Sequence, residues 1–186
     1  MTKVQQIAIR HSSLFDKSVM YNHFDQIYKS SNLFDMPCLS SCTGICEYGP
    51  ILLMPYEYDY IIYKAQLNPE LFKFQLIEEN GFAFHFISDE DTFDCPFLDP
   101  DSLKCKAFPY RPLDCQTYPI FPLFLKDRIE FHLSIMCPLQ QSITKEFIDA
   151  SKTVWTFASG IIPSPWKEFY NGHVMKYFST HESREV

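Results

Sequence analysis

Helical periodicity at both ends of the chain, two short alternating segments around tight turns, and a proline-rich stretch between them predict a small irregular α+β domain. Short hairpins and terminal helices are its expected parts. Asp16 to Lys29 opens with a capping aspartate and places Met20, Phe24, Ile27 and Tyr28 three and four residues apart, which predicts a helix. Asn32 to Gly49 contains Pro37, Gly44 and Gly49 without periodicity and reads as a loop, followed by a short apolar run, Ile51 to Leu53. Pro55 to Ala65 is a second helix, with Glu57 suited to its positive N-terminal end. Leu71 to Leu76 and Phe82 to Ile87 alternate around Asn80-Gly81, a strong hairpin signal. Ile120 to Leu125 and Ile129 to Ile135 form a second hairpin, turned by Lys126, Asp127 and Arg128. Further on, Ile143, Phe147, Val154 and Ala158 share one helical face. Ser164-Pro165 then starts a last helix through Phe178, lined by Trp166, Phe169, Tyr170, Val174 and Tyr177. With no repeat and no linker, residues 1–186 are expected to be one domain, with a cysteine-bearing core over about 38–139 and a helical part over about 142–180.

The composition suits one well-filled core rich in rings: 46% of the residues are hydrophobic, and there are 18 phenylalanines and 11 tyrosines. The formal charge is −7 and no basic run occurs, so no nucleic-acid partner is expected. Met1 to Arg10 is polar and lacks a signal-peptide core, and no segment approaches the roughly 18 uninterrupted apolar residues of a membrane span. A cytoplasmic protein with no membrane partner is therefore expected, in a compartment where thiols stay reduced.

That setting governs the seven cysteines: Cys38, Cys42, Cys46, Cys95, Cys105, Cys115 and Cys137. The first three stand at intervals of four, and Gly44 lets the chain bend so that neighbouring sulfurs converge. Cys95, Cys105 and Cys115 are separated by nine residues each, within a segment from Cys95 to Pro122 that holds six prolines. So proline-rich a segment is expected to form neither a regular helix nor a central strand, and a metal is the expected anchor. Cysteine also serves as a small buried hydrophobe, and in exported proteins as a disulfide former. The odd number and the irregular setting favour metal ligation over both. The pattern is not that of radical S-adenosylmethionine enzymes, whose cysteine gaps are three and then two; here both gaps are three. The chain is also shorter than a full eight-unit barrel of about 250 residues.

The clustered cysteines, then Gly49-Pro-Ile-Leu-Leu-Met-Pro-Tyr-Glu57, Cys95-Pro-Phe-Leu-Asp99, Cys105, Tyr110-Arg-Pro112, Cys115, Tyr118-Pro119 and Cys137-Pro138 follow in a distinctive order. In this the chain resembles the YkgJ-type cysteine-cluster family, described as zinc- or iron-chelating; flagellin lysine-N-methylases carry a related pattern. The resemblance covers about residues 38–139 and implies a metal centre on the cysteines. It departs from the family where Cys46 is followed by Glu47 instead of a second cysteine, and where Gln116 follows Cys115 in place of a frequent arginine.

Seven thiols could give four ligands to one centre and three to another, so an iron–sulfur cluster is preferred over zinc as the cofactor. An iron–sulfur-dependent protein-modifying enzyme, lysine methylase-like by analogy alone, and a structural zinc interaction module are the alternatives. A protein substrate or a redox partner would then be the binding partner. Arg111 has two readings. It could neutralise an anionic thiolate cluster, as cofactor-binding residue, or pair at the surface with Asp114 or Asp99. Asp99 and Asp101 fit turn caps beside Pro100, while Asp94 and Glu47 are possible oxygen ligands. His85 and His132 alternate against their apolar neighbours and read as exposed strand histidines.

Overall fold

The computed structural model describes residues 17–30, 52–54, 56–69, 75–76, 84–85, 97–99, 101–102, 104–180 and 183–186. Helix α1 (Lys17–Ser30) is followed by strand β1 (Leu52–Leu53) and α2 (Glu57–Lys64), then β2 (Gln75–Leu76) and β3 (Phe84–His85). Next come β4 (Leu98–Asp99), β5 (Lys104–Cys105), the five-residue α3 (Leu113–Thr117), β6 (Ile120–Phe124) and β7 (Ile129–Ser134). The long helices α4 (Lys145–Ser159) and α5 (Ser164–Thr180) and a last strand, β8 (Ser183–Glu185), complete the order. The result is a small α+β fold with three small antiparallel sheets among the described residues.

β3 lies between β1 and β2, and Leu76 faces Phe84 in register. The turn expected at Asn80-Gly81 lies outside the described residues, as do the outer parts of both segments. β6 and β7 form the other expected hairpin, closed by the Leu125 N–H donating to the Arg128 carbonyl at 2.9 Å. The sequence pattern did not disclose β8, which pairs with the far edge of β7 through Ser134↔Ser183 and makes β7 the central strand. His132 is consequently not an exposed strand histidine: only 19% of its side chain is accessible.

The main core draws Met20, Phe24, Ile27 and Tyr28 from α1, Phe147, Val154, Trp155 and Ala158 from α4, and Trp166, Phe169, Tyr170 and Val174 from α5. Thr144 caps α4 by accepting the Phe147 N–H at 3.2 Å, a contact that satisfies one orphan donor of the first turn. Rings meet at the centre: Trp166 stacks on Tyr170 at 4.9 Å, and Phe124 meets Trp155 edge-on at 6.1 Å. A second, smaller cluster of Leu53, Tyr58, Ile61, Phe97 and Ala107 sits between β1, α2 and the β4–β5 hairpin.

The proline-rich segment departs from expectation. It does contain a helix, α3, because its prolines flank that turn instead of interrupting it: Pro112 stands at the N-cap and Pro119 follows the C-cap. It also supplies β6, whose Pro122 is tolerated because β6 is an edge strand. Asn171 of α5 satisfies part of that edge, accepting the Phe124 N–H at 2.9 Å and donating to the Phe124 carbonyl at 2.6 Å. No helix among the described residues is long and apolar enough to cross a membrane.

Candidate metal centre

Three of the seven cysteines lie within the described residues; Cys38, Cys42, Cys46 and Cys95, with Glu47 and Asp94, lie outside them. Cys105 ends β5 and faces Leu98 across the β4–β5 ladder. Its carbonyl accepts the Phe108 N–H at 3.1 Å, which turns the chain back toward α3. Cys115 occupies the middle of α3. Both side chains are half-buried and pack against the smaller cluster, so two thiols ten positions apart reach one apolar wall. Cys137 is different: it is 2% exposed, follows β7, and among the described residues belongs to neither hydrophobic cluster. Among the described residues no three of His, Cys, Asp and Glu converge as a ligand set.

What holds α3 is a set of side chains from distant elements. The Glu57 carboxylate accepts the Leu113 N–H at 2.6 Å and the Met54 N–H at 2.8 Å. The Tyr28 hydroxyl donates to the Arg111 carbonyl at 2.7 Å, and the Tyr170 hydroxyl donates to Asp114 at 2.7 Å. Trp155 donates its indole N–H to Thr117 Oγ1 at 2.8 Å, while Thr117 Oγ1 donates to the Leu113 carbonyl at 3.0 Å. Beside the β4–β5 ladder, the α3 turn and the pairing of β6, these side chains pin the second half of the proline-rich stretch. The metal expected to anchor the segment would add to these contacts.

Electrostatically the surroundings of α3 are costly. Burial pushes the Glu57 carboxyl up to about 7, against the opposing pull of the Leu113 and Met54 N–H donors. Burial likewise raises Asp114 to about 6, opposed by the Tyr170 hydroxyl. Burial first, and then charge on Glu57, Tyr60 and Cys115, hold the Tyr28 hydroxyl well above its ordinary range.

Arg111 follows neither of its surface pairings. Among the described residues no ion pair joins it to Asp114, which takes the Tyr170 hydroxyl, or to Asp99, which accepts the Ser102 and Asp101 N–H groups in a turn. Its guanidinium lies 5.7 Å over the Phe108 ring, and its Nε is buried with no hydrogen-bond partner among the described residues. A buried donor without an acceptor is costly. An anionic thiolate cluster nearby would supply one, so thiols and guanidinium together fit a cysteine-ligated metal. Asp99 behaves as the turn cap its sequence suggested, and Asp101 is exposed.

Glu57, Tyr28 and Asp114 were not legible as partners. Locally, Glu57 reaches back three residues to the Met54 N–H, but as the first residue after the N-cap Tyr56 it makes no capping box that the sequence could signal. The other half of its bonding lies 56 positions away.

A model of the CxxCxxCC family, described as a putative zinc- or iron-chelating domain, matches residues 37–147. The chain belongs to this family. The CxxCxxCC region encloses all seven cysteines, together with Glu57, Arg111 and α3, and it identifies the chain at a coarse level as metal-binding. Searches of curated proteins and of solved structures each returned no match.

Proposed function

We propose that this CxxCxxCC protein holds an iron–sulfur centre on ligands drawn from Cys38, Cys42, Cys46, Cys95, Cys105, Cys115 and Cys137, with Arg111 offsetting the negative charge of the thiolates. The observation that carries the reading is the meeting of Cys105 and Cys115, from separate elements, at the smaller apolar cluster. Seven thiols also exceed the four that one tetrahedral zinc site takes, and soft thiolates suit iron–sulfur clusters. The protein works in the cytoplasm on this reading, with a redox partner or a protein substrate; the −7 charge argues against nucleic acid.

Purification without oxygen, followed by iron, zinc and acid-labile sulfide analysis, tests it. The expected product is brown and contains iron and sulfide in near-equal amounts. A colourless product with zinc and no sulfide overturns the iron–sulfur assignment, and a product without either metal overturns the centre.

A further inference from the structure

Glu57, the first residue of α2, is completely buried, at 0% exposure. A carboxylate in that position loses its hydration and keeps its place only through directed hydrogen bonds. Those bonds run in two directions. Met54 is local, but Leu113 is the first residue of α3, and α3 carries Cys115 two positions further on. Pro112, at the N-cap, provides no side-chain cap, so Glu57 does that work from across the molecule. Asp114 repeats the link in reverse, its carboxylate taking a hydrogen bond from the backbone of Leu52. Both residues that precede Cys115 are thus tied to the 52–57 segment, one through its backbone and one through its side chain.

We propose, resting on the cysteine-ligated centre above, that Glu57 is a positioning residue of that centre: through the Leu113 N–H it fixes where α3 presents Cys115. Groups that orient metal ligands from behind commonly change metal affinity about 10- to 100-fold when altered.

The test is titration of reduced, metal-free protein with Co2+ alone under anaerobic conditions, read by the thiolate-to-cobalt charge-transfer absorbance. Glu57→Gln keeps the size of the side chain but turns one acceptor into a donor facing an N–H, and should weaken Co2+ binding about 10- to 100-fold. Thr144→Ala, which removes the α4 cap and touches nothing in α3, should lower stability while leaving Co2+ affinity unchanged. If Glu57→Gln does not fold, Glu57→Asp serves in its place: both oxygens remain on a shorter stem, and weakened binding is again expected. Wild-type affinity in the folded Glu57 variant, or an equal loss in Thr144→Ala, overturns the positioning role while the centre stands. Absence of the charge-transfer band in the wild-type protein overturns the centre itself, and Glu57's role with it.

Discussion

Replacing Cys115 with serine should strip the protein of most of its metal while leaving the long helices in place. A serine hydroxyl is a harder and far less acidic ligand than a thiol, so it does not substitute at a soft site. The helices survive because their packing is independent of that thiol: Trp155, Trp166, Phe169 and Tyr170 are buried among one another and against α1. Cys137→Ser should behave in the opposite way. That thiol is 2% exposed and apart from the cluster that gathers Cys105 and Cys115. Burying a hydroxyl there should cost about 1–3 kcal/mol of stability, with metal per folded chain much less affected. Elemental analysis normalised to the folded fraction, from circular dichroism, separates the two. Full metal content in Cys115→Ser would remove Cys115 from the ligand set.

Stability of the metal-stripped protein should fall as pH rises from about 4.5 to about 7. The Glu57 carboxyl moves from its ordinary 4.5 to about 7 in the folded chain, chiefly through burial, and the charge on Asp114 adds to the shift. Between those values the folded state keeps a proton that the unfolded state has released, so each step up in pH favours unfolding. The contribution is complete below the lower value and gone above the upper one. At about 1.4 kcal/mol for each pH unit, Glu57 alone accounts for about 3 kcal/mol. Asp114, raised from 3.8 to about 6, acts in the same direction over a slightly lower window. Urea midpoints at pH 5 and pH 8, with chelator present, measure the change; bound metal would oppose it, because thiols ligate better as pH rises. Glu57→Gln should flatten the slope, and a midpoint that climbs over this range would contradict the assignment.

What could be read from the sequence followed the range of the interactions involved. α1 was legible because Met20, Phe24, Ile27 and Tyr28 mark one face at helical spacing, and all four are buried on it. The β6–β7 hairpin was legible because its turn and both strands are contiguous. α3 was hidden by a correct rule applied too broadly: prolines exclude a helix interior, but five residues between Pro112 and Tyr118 leave room for one turn. β8 gave no signal, since Ser-Arg-Glu has no apolar alternation and pairs only because β7 offers an edge. For the candidate site, the sequence offered the cysteines as a set and Arg111 by its place near Cys115. The side chains that hold α3 did not, because Tyr28, Glu57, Trp155 and Tyr170 look like ordinary core and helix residues until the chain brings them together.

The two tryptophans carry a consequence for spectroscopy. Both are wholly enclosed, and each commits its indole N–H next to the cysteine-bearing region, Trp155 at Thr117 of α3 and Trp166 at the Leu53 carbonyl. Their emission should therefore be blue-shifted as long as the core is closed. It should also be sensitive to what the cysteines hold. An iron–sulfur cluster absorbs broadly across the tryptophan emission band and quenches by energy transfer, whereas zinc, with a filled d shell, is optically silent. Bright emission from loaded protein would indicate zinc, and emission that brightens without a red shift as metal is withdrawn would indicate a cluster leaving an intact core.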